Sequence, residues 1–359
     1  MASIRMHCRH ASAAALALAV LVLGPPAPAA ADAFDRARVS QIAPSERLRL
    51  FAFGKLLESG RALPGTVAAL KQDMVRQGFY YAPGGERLIA SQLWAEPVLS
   101  HDGNINGGTP KDSFSAGGFT FTADPSITAK SGVVVGVSGG GLARLAWAEG
   151  RFVEAAAAGE TVWSPEHEIG RSSAQLRLCA RNHLAGWSFL DLCQSGAVLE
   201  RDLGRSHQRQ TEATLSTLVE SRGGYHELAL GLARIETGTG SQEVLSLSLD
   251  TVWDRFATSA ALSFSSPIPE ETAQRLRLSG ELHWLALDRR WSLGLWQQRA
   301  DGGSFLGQPR EDRATGVTLA TDLRPGLRLE AGLVRNSSTV EFFDYDHVTL
   351  GASFSALRW

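Results

Sequence analysis

The sequence predicts an all-β fold, a transmembrane antiparallel β-barrel of about 14 strands with a short N-terminal helical segment. Three observations predict it. From about Leu88 to Trp359 apolar residues recur with period two. Long and short connections alternate between those segments. An export signal stands in front of them.

The 359 residues carry 35 Lys plus Arg against 37 Asp plus Glu, a formal charge of -2. With 44% hydrophobic and 20% charged residues a packed fold is expected and disorder is excluded. A charge this balanced also excludes nucleic acid as the main partner, because phosphate binding needs a basic surplus.

Residues 1–31 read as a signal peptide. Arg5 and Arg9 precede the apolar run Ala13–Leu23, and Ala29 and Ala31 supply small residues for cleavage after Ala31. The run is too short to span a bilayer. No Cys follows it, so it is not a lipoprotein signal. Export leaves Cys179 and Cys193, and an even number in an oxidising compartment favours a disulfide.

Residues 32–87 form the periplasmic helical segment. Ser45 caps a helix with Glu46 in its first turn and Leu48, Leu50, Phe51, Phe53, Leu56 and Leu57 as apolar positions. Gly60 and Pro64 end it. A second helix runs from about Thr66 to Gln77, with Val67, Leu70, Met74 and Val75 on one stripe. One such hairpin is too small to fold alone or to make a solenoid.

Residues 88–359 are the barrel. Leu245, Leu247 and Leu249 alternate with Ser246, Ser248 and Asp250. Leu276, Leu278 and Leu282 alternate with Arg277, Ser279, Glu281 and His283. Leu327, Leu329, Ala331 and Leu333 alternate with Arg328, Glu330 and Gly332. The long connections fall at 159–171, 200–209, 235–242, 265–272, 300–313 and 336–347. The short ones fall at 181–187, 220–225, 253–258, 287–291 and 322–326. Short periplasmic turns and long outer loops suit a barrel of the Gram-negative outer membrane, with lipid as its surroundings. Trp253, Trp284, Trp291 and Trp296 lie near strand ends, where aromatic girdles meet headgroups. The last strand, Val348–Trp359, resembles the signal read by the barrel assembly machinery. Its apolar parity changes between Phe354 and Leu357, which calls for a bulge or a change of face.

Candidate chemistry is sparse. Asp102, Asn104 and Asn106 match the opening of a calcium loop, but Ser113 stands where a bidentate Glu belongs, so a polar surface loop is the competing reading. His183, His226 and His283 are scattered, and no serine elbow accompanies them. Arg277, Glu281, His283, Arg328 and Glu330 share the polar parity and are expected to line the lumen, as an ion-pair lattice or as a selectivity lining. No catalytic residues, metal site or cofactor are expected.

The segment Pro97–Asn106, with Asp102, Asn104 and Asn106 in it, resembles the barrel entry of the surface lipoprotein assembly modifier family. The resemblance extends over about 88–359 and implies a barrel of about fourteen strands, lipoprotein clients and delivery of lipoproteins to the cell surface. This chain has one helix pair where that family has several helical repeats. Three functions therefore stand side by side: a translocon or assembly factor for surface lipoproteins, a passive porin for small solutes, and a lipid-modifying barrel enzyme.

Cys179 and Cys193 flank a turn centred on Gly186. Antiparallel pairing about that centre opposes them directly, together with Arg181 and Asp191, and Asn182 and Leu190. Facing residues approach closely enough for a disulfide. Two reduced cysteines are the alternative.

Overall fold

The computed structural model describes residues 33–79, 87–116, 119–324, 326–354 and 357–358. The signal-peptide expectation lies outside them. Three helices come first: α1 (Ala33–Ser40), α2 (Glu46–Glu58) and α3 (Pro64–Arg76). The Ser45 hydroxyl caps α2 by accepting from the Leu48 N–H at 3.0 Å, and Pro64 opens α3. α1 is an addition to the expected pair. It is two turns long and is separated from α2 by residues 41–45, with Pro44 among them.

The strands are β1 (Arg87–Asp102), β2 (Ser113–Ala116), β3 (Phe119–Thr122), β4 (Gly132–Ala148), β5 (Arg151–Ser164), β6 (Ile169–Ala185) and β7 (Ser188–Arg201). They continue as β8 (Gly204–Ser221), β9 (Gly224–Thr237), β10 (Ser241–Val252), β11 (Phe256–Ser265), β12 (Ala273–Ala286) and β13 (Arg289–Phe305). The last are β14 (Gln308–Arg324), β15 (Leu327–Ser338), β16 (Tyr345–Phe354) and β17 (Leu357–Arg358). β1 and β4–β16 pair antiparallel in chain order, and β16 returns to β1, closing a barrel of fourteen strands. β2 and β3 form a separate hairpin inside the connection 103–131.

Closure leaves the barrel wall without a free edge, which is what a sheet needs inside a bilayer. Leu228, Leu230 and Leu232 on β9 and Leu245 and Leu247 on β10 face outwards and are exposed. Residues of the other parity face the lumen. No helix among the described residues is long and apolar enough to cross a membrane.

The connections differ from the sequence reading. The short set is as expected, but most of the long set is strand. β7 and β8 are joined by 202–203 alone, and β13 and β14 by 306–307. Beyond the lipid belt both faces meet water, so Arg299, Glu311 and Arg313 keep the ladder while the hydrophobic alternation stops. One connection is truly long, 103–131. At the other end the pairing with β1 slips by one position, from Val98↔Ser353 to Ala95↔Leu357. That slip is the bulge alternative; Trp359 lies outside the described residues.

Trp284 and Trp291 face each other across β12 and β13 on the outer side, stacked at 6.2 Å, in girdle position. Trp253 and Trp296 do not belong to the girdle. Trp253 is buried at its turn, edge-on to His226. Trp296 has lumenal parity and lies on Gly316, where an added Cβ would stand 2.2 Å from its indole nitrogen. The glycine makes the flat approach possible.

Candidate functional site

The site is the barrel mouth at the end that carries the short turns. Val39, Ile42, Ala43, Leu48, Phe51 and Ala52 of the helical segment form one core with Phe189, Leu218, Tyr225, Val252 and Ala257 of the wall. All five wall residues have lumenal parity and sit near short turns. The amphipathic segment that cannot bury its own apolar stripe buries it inside the barrel mouth. Phe51 meets Trp187 at 4.9 Å and Tyr225 at 5.4 Å, both edge-on.

Charges complete the seat. Glu46 and Arg47, adjacent at the start of α2, are the two ends of one circuit along four consecutive wall strands. Glu46 accepts from Arg144 on β4 at 2.7 Å, and Arg144 reaches Glu154 on β5 at 2.7 Å. Glu154 accepts from Arg181 on β6 at 2.6 Å, which reaches Asp191 on β7 at 2.9 Å. Asp191 then takes both Arg47 nitrogens, at 2.6 and 3.0 Å. Signs alternate throughout. Arg47 also donates to the Ser216 hydroxyl and lies 4.3 Å over the Phe189 ring. Across the mouth, Arg36 pairs with Asp254 at 3.0 Å and Glu220 at 3.4 Å, and Arg290 donates to the Ile42 carbonyl. Glu227 accepts from the Ser45 hydroxyl. The helices are held on β4, β7–β9 and β13 at once, which makes them a plug.

The disulfide stands next to this circuit. Cys179 and Cys193 are opposed across β6 and β7, bonded, with Cα atoms 4.1 Å apart and a sequence separation of 14 residues. Arg181 faces Asp191 and Asn182 faces Leu190, as the pairing arithmetic requires. A loop this short contributes about 3 kcal/mol at most. Both sulfurs are buried on the lumenal side. Thiol labelling of the denatured, unreduced mature protein is expected to find no reactive thiol; two per chain would show the bridge absent.

At the outer mouth, Asp102, Asn104 and Asn106 fold the first loop onto the wall. Asp102 accepts from the Asn104 N–H at 2.8 Å and from Arg171 at 2.5 Å. Asn104 Oδ1 accepts from the Gly108 N–H at 2.8 Å, and Asn106 Oδ1 from the Lys130 N–H at 2.9 Å. Ile105 is fully buried against the lumenal Val134 and Val162. Further along the loop, Asp124 is held below the usual carboxylate range by the Ser126 backbone N–H and then its hydroxyl. Among the described residues no group of His, Cys, Asp and Glu could hold a metal. Losing the fully buried Asn106 side chain in Asn106→Ala leaves the Lys130 N–H without its acceptor and the Thr128 carbonyl without its side-chain donor, at about 1–3 kcal/mol. Limited proteolysis of the folded barrel is expected to cut 103–131 faster in this variant, with calcium or chelator making no difference.

The five lumenal expectations are placed as follows. Arg277 donates to Gln298 at 3.1 Å and lies 4.8 Å over Trp296. His283 is buried beside Glu281 at 3.6 Å. Arg328 donates to Ser292 at 3.2 Å and pairs with Asp322 at 3.5 Å, and Glu330 faces Ala320 and Gly351. None of them joins the plug circuit. His183 bonds the Gly186 carbonyl, and His226 bonds Thr251 and the Ser221 carbonyl, so the histidines are not brought together. Sequence reading missed Arg36, Glu46, Arg47, Arg144 and Glu154. For Arg144 and Glu154 the signal was charge at lumenal parity close to a short turn.

No protein-family model matches the chain, and no curated protein matches it. Among solved structures it is similar to OccK10 (OpdN) of Pseudomonas aeruginosa, at 12% identity and a TM-score of 0.37 over 76% of this chain and 99% of that one. It is also similar to the outer membrane protein OpdK of the same organism, at 9% identity and a TM-score of 0.40 over 75% and 98%. A third is OccAB2 of Acinetobacter baumannii, at 9% identity and 0.39 over 75% and 97%. A closed wall of fourteen antiparallel strands with an apolar outward face is the architecture of an outer-membrane β-barrel. Likeness at this level says nothing about what enters its lumen.

Proposed function

We propose that the chain is a pore for small solutes, kept closed at its periplasmic mouth by its own N-terminal helices. The observation that carries this reading is the circuit from Glu46 through the wall to Arg47, which ties one helix to four barrel strands. A plug fixed by ion pairs and a small apolar core can leave as a unit, whereas a wall cannot. Polar and small side chains of lumenal parity above it, such as Ser246, Ser248 and Ala261, suit hydrated solutes better than apolar ones.

In planar bilayers the full chain is expected to stay mostly closed. The barrel lacking residues 33–79 is expected to conduct continuously. Silent membranes with that truncated barrel, folded by the heat-modifiability criterion, would overturn the reading.

The resemblance at Pro97–Asn106 supports a second reading, transfer of lipoprotein clients to the surface, with the helical segment as their receiving element. Loss of a surface lipoprotein in a knockout, with no solute-uptake defect, would favour it.

A further inference from the structure

One stretch of lumenal wall carries a row of carboxylates with little positive charge beside them. Glu227 faces Asp250 across β9 and β10, Asp250 faces Ser259 across β10 and β11, and Ser259 faces Glu281 across β11 and β12. All four have lumenal parity. Like charges directly opposed on a sheet are destabilising, so stability gives no reason for the row. Glu227 is partly satisfied by the plug, through the Ser45 hydroxyl and Arg47 at 4.0 Å. Among the described residues no Lys, Arg or His nitrogen lies within 4 Å of the Asp250 carboxylate, and Glu281 has His283 alone, at 3.6 Å.

His283 is the second observation. It is 3% exposed, yet neither ring nitrogen has a hydrogen-bond partner among the described residues. A buried ring with both nitrogens unmatched is costly and calls for an external partner. Its Nε2 is directed at Glu281, the end of the row. On the far side, Arg290 and Arg328 are engaged with the Ile42 carbonyl, Ser292 and Asp322, so positive charge ends where the row begins.

We propose that Asp250, Glu281 and His283, with Glu227 at the plug, form a binding site for small organic polycations carrying primary ammonium groups along a flexible chain. Neighbouring strands are about 4.8 Å apart, so Asp250 and Glu281 stand about 10 Å apart and Glu227 and Glu281 about 14 Å. A divalent metal needs several oxygens converging at about 2.0–2.6 Å, and among the described residues no group of three or more His, Cys, Asp or Glu converges in that way. A polyamine distributes its charges as the wall distributes its carboxylates, each contact being a charge-assisted hydrogen bond. His283, neutral, accepts from an ammonium N–H bound at Glu281. The site rests on the pore reading only in needing a lumen open to small molecules from one side.

The test is calorimetric titration of spermidine into the full-length protein folded in detergent. Saturable binding is expected, with methylamine at least tenfold weaker because it reaches one carboxylate. Asp250→Asn combined with Glu281→Gln is expected to weaken spermidine at least tenfold. Glu96→Gln, a carboxylate of lumenal parity outside the row and bonded to Ser138, is expected to leave it unchanged. Absence of spermidine binding, equal affinity for methylamine, or equal loss in Glu96→Gln would each overturn the site. The first two use the unaltered protein, so they stand even where the double variant does not fold. Failure of the truncated barrel to conduct would count against the pore and leave this titration untouched.

Discussion

Arg47→Ala is expected to turn a closed barrel into one that opens and closes. The Arg47 side chain is 9% exposed, as is its partner Asp191. Removing Arg47 leaves Asp191 with Arg181 alone, so the cost stays below the about 3–5 kcal/mol of a buried charge with no partner at all. Only the docked plug bears that cost, since in the undocked state both groups are hydrated. At 1.4 kcal/mol per decade, the docked-to-undocked ratio falls by at most about two to four orders of magnitude. The apolar contacts of Val39, Ile42, Leu48 and Phe51 remain, at about 1.5–3 kcal/mol for each fully buried side chain, so the plug still returns. Single-channel recording is thus expected to show long openings interrupted by closures, between the silence of the full chain and the steady conductance of the truncated barrel. Arg47→Lys keeps the charge but loses the two-pronged contact with Asp191, and an intermediate open fraction is expected. An Arg47→Ala channel as silent as the full chain would show that the circuit does not hold the plug.

Glu154→Gln is expected to be the most damaging single change in the wall itself. Glu154 is 7% exposed and lies between Arg144 at 2.7 Å and Arg181 at 2.6 Å. Neutralising it places two guanidinium groups in one lumenal space with half their compensation, again at about 3–5 kcal/mol. The measurement is the temperature at which the folded, fast-migrating band converts to the unfolded one. A clear fall is expected for Glu154→Gln. Glu243→Gln, whose pair with Arg234 is largely exposed, is expected to change it little, since such pairs contribute about 0–1 kcal/mol. Equal thermal conversion in the two variants would mean that water reaches the Arg144–Glu154–Arg181 cluster.

These two cases show how far the sequence reaches. Period-two alternation is a local property, set by the requirement that lipid and lumen alternate along each strand. Leu245–Leu249 or Leu327–Leu333 therefore announce barrel strands without reference to any other part of the chain. Antiparallel pairing about a tight turn is almost as local, which is why Cys179 opposite Cys193 and Arg181 opposite Asp191 follow from arithmetic about Gly186. Ser45 as a cap and Pro64 as a first helical residue are local in the same sense.

The tertiary structure alone decided the rest. Glu46 and Arg47 stand in the first turn of a helix, and only docking turns them into the two ends of a circuit through residues 98 to 144 positions away. Trp296 reads as a girdle residue until Gly316, twenty positions on, is seen to open a lumenal bed for it. The Glu227–Asp250–Glu281 row is assembled by the registers of three separate hairpins, none of which carries information about the others. Local alternation determines which face a side chain takes. Which side chains then share the lumen depends on register and closure, and those are properties of the whole barrel.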